Sequence, residues 1–132
     1  MAVDDVLYRE EILDHYHASA YRGRIEKPDL SYEADNPFCG DRVRLELKLE
    51  PAGRIQHVRF NGQGCAISQA AASMLAEHIE GKSVEDARQF SPDQMLQLLG
   101  VRLSATRIKC GLLAWRALQY AIRGNPQAES AA

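Results

Sequence analysis

The sequence predicts an α+β fold, a small antiparallel sheet with helices packed on one face, and three observations predict it. Residues 42–50, RVRLELKLE, alternate strictly between apolar and charged side chains, the period of a half-buried strand. The turn Pro51-Ala52-Gly53 and the run RIQHVRFNG follow, which makes the pair an antiparallel hairpin. After Gly64 the apolar period becomes helical and stays so, and strands followed by helices is the α+β order. A chain of 132 residues with 45% hydrophobic and 26% charged residues can build a core, which excludes global disorder, collagen and coiled coil. Its net charge of −2 argues against a dedicated nucleic-acid binder.

The elements follow in order. In residues 1–17, Val6, Leu7, Ile12, Leu13 and Tyr16 recur at helical spacing, while Asp4 and Asp5 suit the positive end of the helix dipole. The same stretch lacks the basic, apolar and small-residue order of a signal peptide, and no apolar run approaches the roughly 20 residues of a bilayer crossing. A cytoplasmic protein without membrane association is the expectation. Gly23, Pro28 and Pro37 punctuate an irregular stretch with a short strand near Leu30 to Tyr32. In the first hairpin arm Val43, Leu45, Leu47 and Leu49 face the core, and Arg42, Arg44, Glu46, Lys48 and Glu50 face solvent. Ile55 is out of phase with Val58 and Phe60 in the second arm, which calls for a bulge.

Ile67, Ala70, Ala71, Met74, Leu75, His78 and Ile79 form the stripe of a helix ending at Gly81. Ser83 with Asp86, and Ser91-Pro92, open two short helices. Ile108, Leu112, Trp115, Gln119 and Ile122 mark a long C-terminal helix, with Gly124 near its C-cap and a disordered tail at 125–132. Residues 1–124 are expected to form a single domain.

The chain has three cysteines, an odd number that excludes a fully paired disulfide set. Cys39 stands in Asn36-Pro37-Phe38-Cys39-Gly40-Asp41, a compact loop in which Asp41 falls on the same side as the thiol if the segment is extended. Cys65 stands in Asn61-Gly62-Gln63-Gly64-Cys65-Ala66-Ile67-Ser68, where amide N–H groups at a helix start favour a thiolate. A phosphate-binding loop fails there, because no third glycine and no Gly-Lys-Ser/Thr ending follow. Cys110, in Arg107-Ile108-Lys109-Cys110-Gly111, has two cations beside it that favour a thiolate or attract an anionic persulfide. Separations of 26 and 45 residues fit no zinc finger. Each thiol nevertheless stands at an element boundary beside a glycine. Three thiolates and Asp41 can supply four tetrahedral ligands if those boundaries converge; isolated packing thiols are the competing reading.

The stretches NPFCGD (36–41), GQGCAIS (62–68) and RIKCGLLAW (107–115) resemble the motifs of the U-type iron–sulfur cluster assembly proteins, the IscU/SufU-like family. The opening LYREEILDHYH, the leucine-rich hairpin and EGKSVEDA extend the resemblance from residue 5 to about 123. It implies the fold of that family and a site of Cys39, Asp41, Cys65 and Cys110 that binds zinc or iron, or holds an assembling [2Fe–2S] cluster. It further implies zinc in the resting form, Fe2+ and a transient [2Fe–2S] cluster, and persulfide sulfur received from a PLP-dependent cysteine desulfurase. Recipients would be iron–sulfur apoproteins or carriers. Cys39 and Cys110 are the candidate sulfur acceptors, Cys110 in the scaffold branch and Cys39 in the SUF branch.

The two branches mix in this sequence. Lys109 stands where the scaffold branch has histidine, and GQGCAIS with Ala114-Trp115 looks SUF-type. The extra segment that SUF-type members carry between the second and third cysteines is absent, as is the scaffold branch's Leu-Pro-Pro-Val-Lys; this chain has LSATRIK at 103–109. The expected function is iron–sulfur cluster assembly. A zinc-dependent sulfur carrier of the SUF type is the alternative, and a structural zinc protein the minor one. His15, His17, His57 and His78 are expected at the surface or in packing, Trp115 as the anchor of the last helix, and Tyr8 and Tyr16 in packing of the first. Arg42, Arg107 and Lys109 form either a docking rim for an acidic surface or a solvated edge.

Overall fold

A computed structural model describes residues 2–37 and 40–124. The side chains of Val6, Leu7 and Tyr8 lie outside the described residues, as do Cys39 and the 125–132 tail. Helix α1 (Ala2–His17) precedes three strands, β1 (Leu30–Asn36), β2 (Asp41–Leu49) and β3 (Ile55–Gln63). Five helices follow: α2 (Ala66–Ile79), α3 (Val84–Gln89), α4 (Pro92–Leu99), α5 (Ala105–Gly111) and α6 (Leu113–Arg123). The strands form one antiparallel sheet in the order β1-β2-β3. α2 and α6 lie against it, and α1 packs on α2.

The β2–β3 hairpin forms as its alternation dictates, with Val43, Leu45 and Leu47 fully buried. The bulge is real. Lys48 pairs with His57 and Leu49 with Ile55, so Gln56 is the extra residue that turns Ile55 onto the face of Val58 and Phe60. Each such side chain contributes roughly 1.5–3 kcal/mol by leaving water. β1 is longer than the short strand expected, because its pairing with β2 runs from Leu30–Leu47 to Asn36–Asp41.

Glu46 departs from its expected place in solvent: it is fully buried. It does point away from the helices, but residues 21–29 cross that outer face of the sheet. They start on the free edge of β3, where the Gly23 N–H donates to the Phe60 carbonyl at 2.8 Å. They end on β1, where the Asp29 N–H donates to the Leu47 carbonyl at 2.9 Å. Between the two, Glu46 accepts from the Ile25 N–H at 2.8 Å, from Arg44 Nε at 3.0 Å and from Arg24 Nε at 3.3 Å. Burial raises its pKa, yet these donors together outweigh burial and hold the carboxyl below its ordinary value.

α2 is buried around most of its circumference, with Ser68, Gln69, Ser73 and four alanines inaccessible. A single stripe does not describe it, since sheet, α1 and α6 each take a side. Leu13, expected in the core, is 41% exposed on α1, while Ile12 is buried. Ser83 and Ser91 cap α3 and α4 through the Asp86 and Gln94 N–H groups, and Gln94 completes a capping box on Ser91.

The C-terminal helix is two helices. Leu112, at φ −99° and ψ 0°, separates α5 from α6. Just before the break the chain packs closely: a Cβ at Gly111 would stand 2.9 Å from Leu103 Cδ1 and 3.0 Å from Leu99 Cδ1. Trp115 anchors α6 as expected, its Nε1–H donating to the Phe90 carbonyl at 2.7 Å. Gly124 forms the C-cap at positive φ.

Candidate metal and sulfur site

Two tight turns and one helix end build the site. The β1–β2 turn is closed by the Asn36–Asp41 pair and by the Gly40 N–H, which donates to the Asn36 carbonyl at 2.9 Å. Gly40 has φ +74°, the left-handed conformation that favours glycine. Asp41 is therefore the first residue of β2, and it is buried. β3 ends beside it, and the chain turns through Gly64 and Cys65 into α2. α5 then brings Cys110 to the same place from 45 residues downstream, in the last turn of that helix.

The carboxylate of Asp41 is the hub. The Cys65 N–H donates to its Oδ1 at 3.0 Å, and the Cys65 thiol donates to its Oδ2 at 3.3 Å. Cys65 is the N-cap of α2, but its sulfur accepts nothing from the helix amides. The sulfur turns to the carboxylate instead. Gly64 makes that approach possible. Any Cβ there would overlap the Asp41 side chain, and its φ of +143° is one that L side chains rarely adopt. Gly62 likewise lies against the Arg42 backbone, so both glycines serve close chain packing and neither frames a phosphate loop.

Ligand atoms of Asp41, Cys65 and Cys110 all lie within 4.8 Å of one another. Cys110 is buried. Burial, first, and then the Asp41 carboxylate and Cys65 push its thiol far above the ordinary thiol range. This reverses the expected direction, because Arg107 and Lys109 sit exposed on α5 while the groups touching the sulfur are acidic. With both thiols deprotonated the three groups would be anions close together, and a cation among them would offset their repulsion. The donor set suits zinc, whose thiolate ligands at about 2.3 Å in a tetrahedron stand roughly 3.8 Å apart. Cys39, the fourth residue of the expected set, falls outside the described residues, between Pro37 and Gly40.

None of the four histidines belongs to the cluster. His15 Nδ1 pairs with Ser73 Oγ at 2.7 Å, linking α1 to α2. His17 stacks on Tyr16, and His57 faces Glu80. His78 packs on the Phe90 ring, where burial and then Lys82 lower its pKa. Gly64 and Gly111 are contributors that motif reading passed over. Their signal was present as a glycine directly beside each cysteine, but only the packed structure shows what each glycine accommodates.

Comparison with known proteins agrees with this architecture. A family profile, the NifU-like N terminal domain, matches residues 7–131. The chain is 36% identical to the zinc-dependent sulfurtransferase SufU of Bacillus subtilis, over 89% of this chain and 90% of that protein. It is 34% identical to the iron–sulfur cluster assembly scaffold protein IscU of Thermotoga maritima, over 89% and 94%. A crystal structure of a SUF-system protein from Fervidobacterium islandicum AW-1 superposes with a TM-score of 0.77 at 30% identity, over 89% of this chain and 97% of that one. With a three-stranded antiparallel sheet under its helices and a cysteine–aspartate cluster where the turns meet, the chain belongs to the NifU-like N-terminal domain family, which here takes in both IscU and SufU relatives.

Proposed function

We propose that this protein takes part in iron–sulfur cluster assembly, accepting persulfide sulfur from a PLP-dependent cysteine desulfurase and building a [2Fe–2S] cluster at Cys39, Asp41, Cys65 and Cys110. The observation that carries this reading is the convergence of Asp41, Cys65 and Cys110 within 4.8 Å from three distant parts of the chain. Two irons joined by two sulfides need four outer ligands, and three thiolates with one carboxylate make four. The cluster is cargo, destined for an iron–sulfur apoprotein or a carrier, and a weaker oxygen ligand among sulfurs suits its release. Zinc in the resting protein would be held by the same four residues, where it would keep the thiols deprotonated and lower their nucleophilicity.

Sulfur transfer itself needs no oxidant. A Cys39 or Cys110 thiolate attacks the terminal sulfur of the desulfurase persulfide, one S–S bond breaks as another forms, and the donor cysteine takes up a proton. Burial of Cys110 implies that a docked partner must open access to that thiol.

A second reading has its own support: the relative at 36% identity is named a zinc-dependent sulfurtransferase, and Lys109 replaces the scaffold-branch histidine. In that reading the protein carries sulfur and holds no stable cluster. Anaerobic incubation with iron, cysteine and a cysteine desulfurase tests both. A [2Fe–2S] absorption spectrum, with transfer of the cluster to an apoprotein, is the expected result. Persulfide on the chain with zinc retained and no visible cluster contradicts assembly in favour of the carrier. Neither persulfide nor cluster sinks both.

A further inference from the structure

α5 is a ridge between two apolar recesses. On one side Ile108, Leu112, Leu113 and Trp115 line a recess of about 300 Å³, with Lys109 and Arg116 at its border. On the other, Leu13, Ile67, Val101 and Leu103 line one of about 280 Å³, bordered by Arg102 and Arg107. Leu13 is the large apolar side chain that α1 leaves in solvent, and it stands at the second recess. Among the described residues, Arg102, Arg107 and Arg116 face no carboxylate within ion-pair distance. The chain as a whole is net negative, so these cations on α5 and its flanks set this face apart. Apolar pockets bordered by positive charge are the anatomy of a protein docking surface.

We infer that α5 and its two recesses form one docking surface for an acidic protein segment that straddles the helix. The segment places an apolar side chain in each recess and carboxylates over Arg102 and Arg107. A helix is about 10 Å across, a distance that three or four residues of extended chain cover. The partner sequence is therefore two aliphatic or aromatic residues separated by two or three acidic ones. Two recesses shaped for side chains favour a polypeptide over nucleic acid, whose phosphates would use the cations and leave both pockets unfilled. The surface adjoins Cys110 and Ala66-Ile67, so a bound segment lies beside the thiols. The inference stands on the recesses and the charges, and does not require that the thiols build a cluster.

The chain's one tryptophan, Trp115, lines a recess and reports occupancy by its own fluorescence. The probes are short synthetic peptides in which two leucines flank a run of glutamates. Controls replace the glutamates by lysine, or the leucines by serine, and a single-stranded oligonucleotide of matched charge is a third control. We expect the glutamate–leucine peptide to bind and shift Trp115 emission. Its affinity should fall at least about tenfold between roughly 0.05 and 0.3 M salt. R102E/R107E should weaken it by about tenfold or more, and Leu13→Ser should do so without changing the salt dependence. All these side chains are exposed, so zinc content and circular dichroism should match the parent protein. Three results overturn the proposal: no binding of the glutamate–leucine peptide, equal binding of either control peptide, or tighter binding of the oligonucleotide, which would mark a nucleic-acid surface.

Discussion

Asp41 links the chemistry of the site to its construction. Its Oδ1 takes the N–H at the start of α2, and its Oδ2 takes the Cys65 thiol. Removing the carboxylate leaves three thiols and a more uniform sulfur environment. Asp41→Ala should therefore give a [2Fe–2S] cluster that lasts longer than wild type when followed by its visible absorption, at a stability cost of about 1 kcal/mol for the lost hydrogen bonds to Cys65. Faster cluster loss would contradict the labile-ligand account. Gly64 is the other decisive residue. Gly64→Ala combines an unfavourable φ with a Cβ that displaces the Asp41 carboxylate. It should lower stability in denaturant by about 1–3 kcal/mol and reduce zinc stoichiometry; a variant with wild-type metal content would show that Asp41 need not sit where it does.

Two elements are set by contacts that alternation and periodicity could not foresee. The outer crossing of residues 21–29 is pinned by Glu46, which pattern reading assigned to solvent because its neighbours in sequence alternate faithfully. The covering segment is what changes its environment, and a segment distant in sequence leaves no mark on a strand's period. Because folding lowers the pKa of Glu46, the ionised carboxylate stabilises the fold above about pH 4.5. That contribution is lost as pH falls through the lower, folded-state value. Glu46→Gln should cost about 2–3 kcal/mol at pH 7, with a cost that shrinks below pH 4.5. A pH-independent difference in urea midpoints would remove the charge from the explanation. At the other end, the α5–α6 break places Cys110 at a helix end against Asp41. Gly111→Ala should push α5 off Leu99 and Leu103, costing about 1–3 kcal/mol, with weakened metal binding. Unchanged stability and metal content would show that the leucine tips yield freely.

At the scale of the whole molecule, much of the fold was legible: the hairpin, its bulge, the capped helices and the Trp115 anchor each follow from a local signal. The 45-residue separation of Cys65 and Cys110 hid the convergence, since no local rule says that α5 returns to the β1–β2 turn. The resemblance of three short motifs supplied what spacing alone left open. The helix break at Leu112 stayed hidden because Ile108, Leu112 and Trp115 keep helical spacing across it. The central claim is that Cys39, Cys65 and Cys110 act with Asp41 as one site. The most direct measurement is anaerobic sulfur transfer and cluster formation, with metal content, in Cys39→Ser, Cys65→Ser and Cys110→Ser beside wild type. The account predicts that each substitution impairs sulfur-dependent cluster formation and alters bound metal; three variants with full activity and full metal content would contradict it.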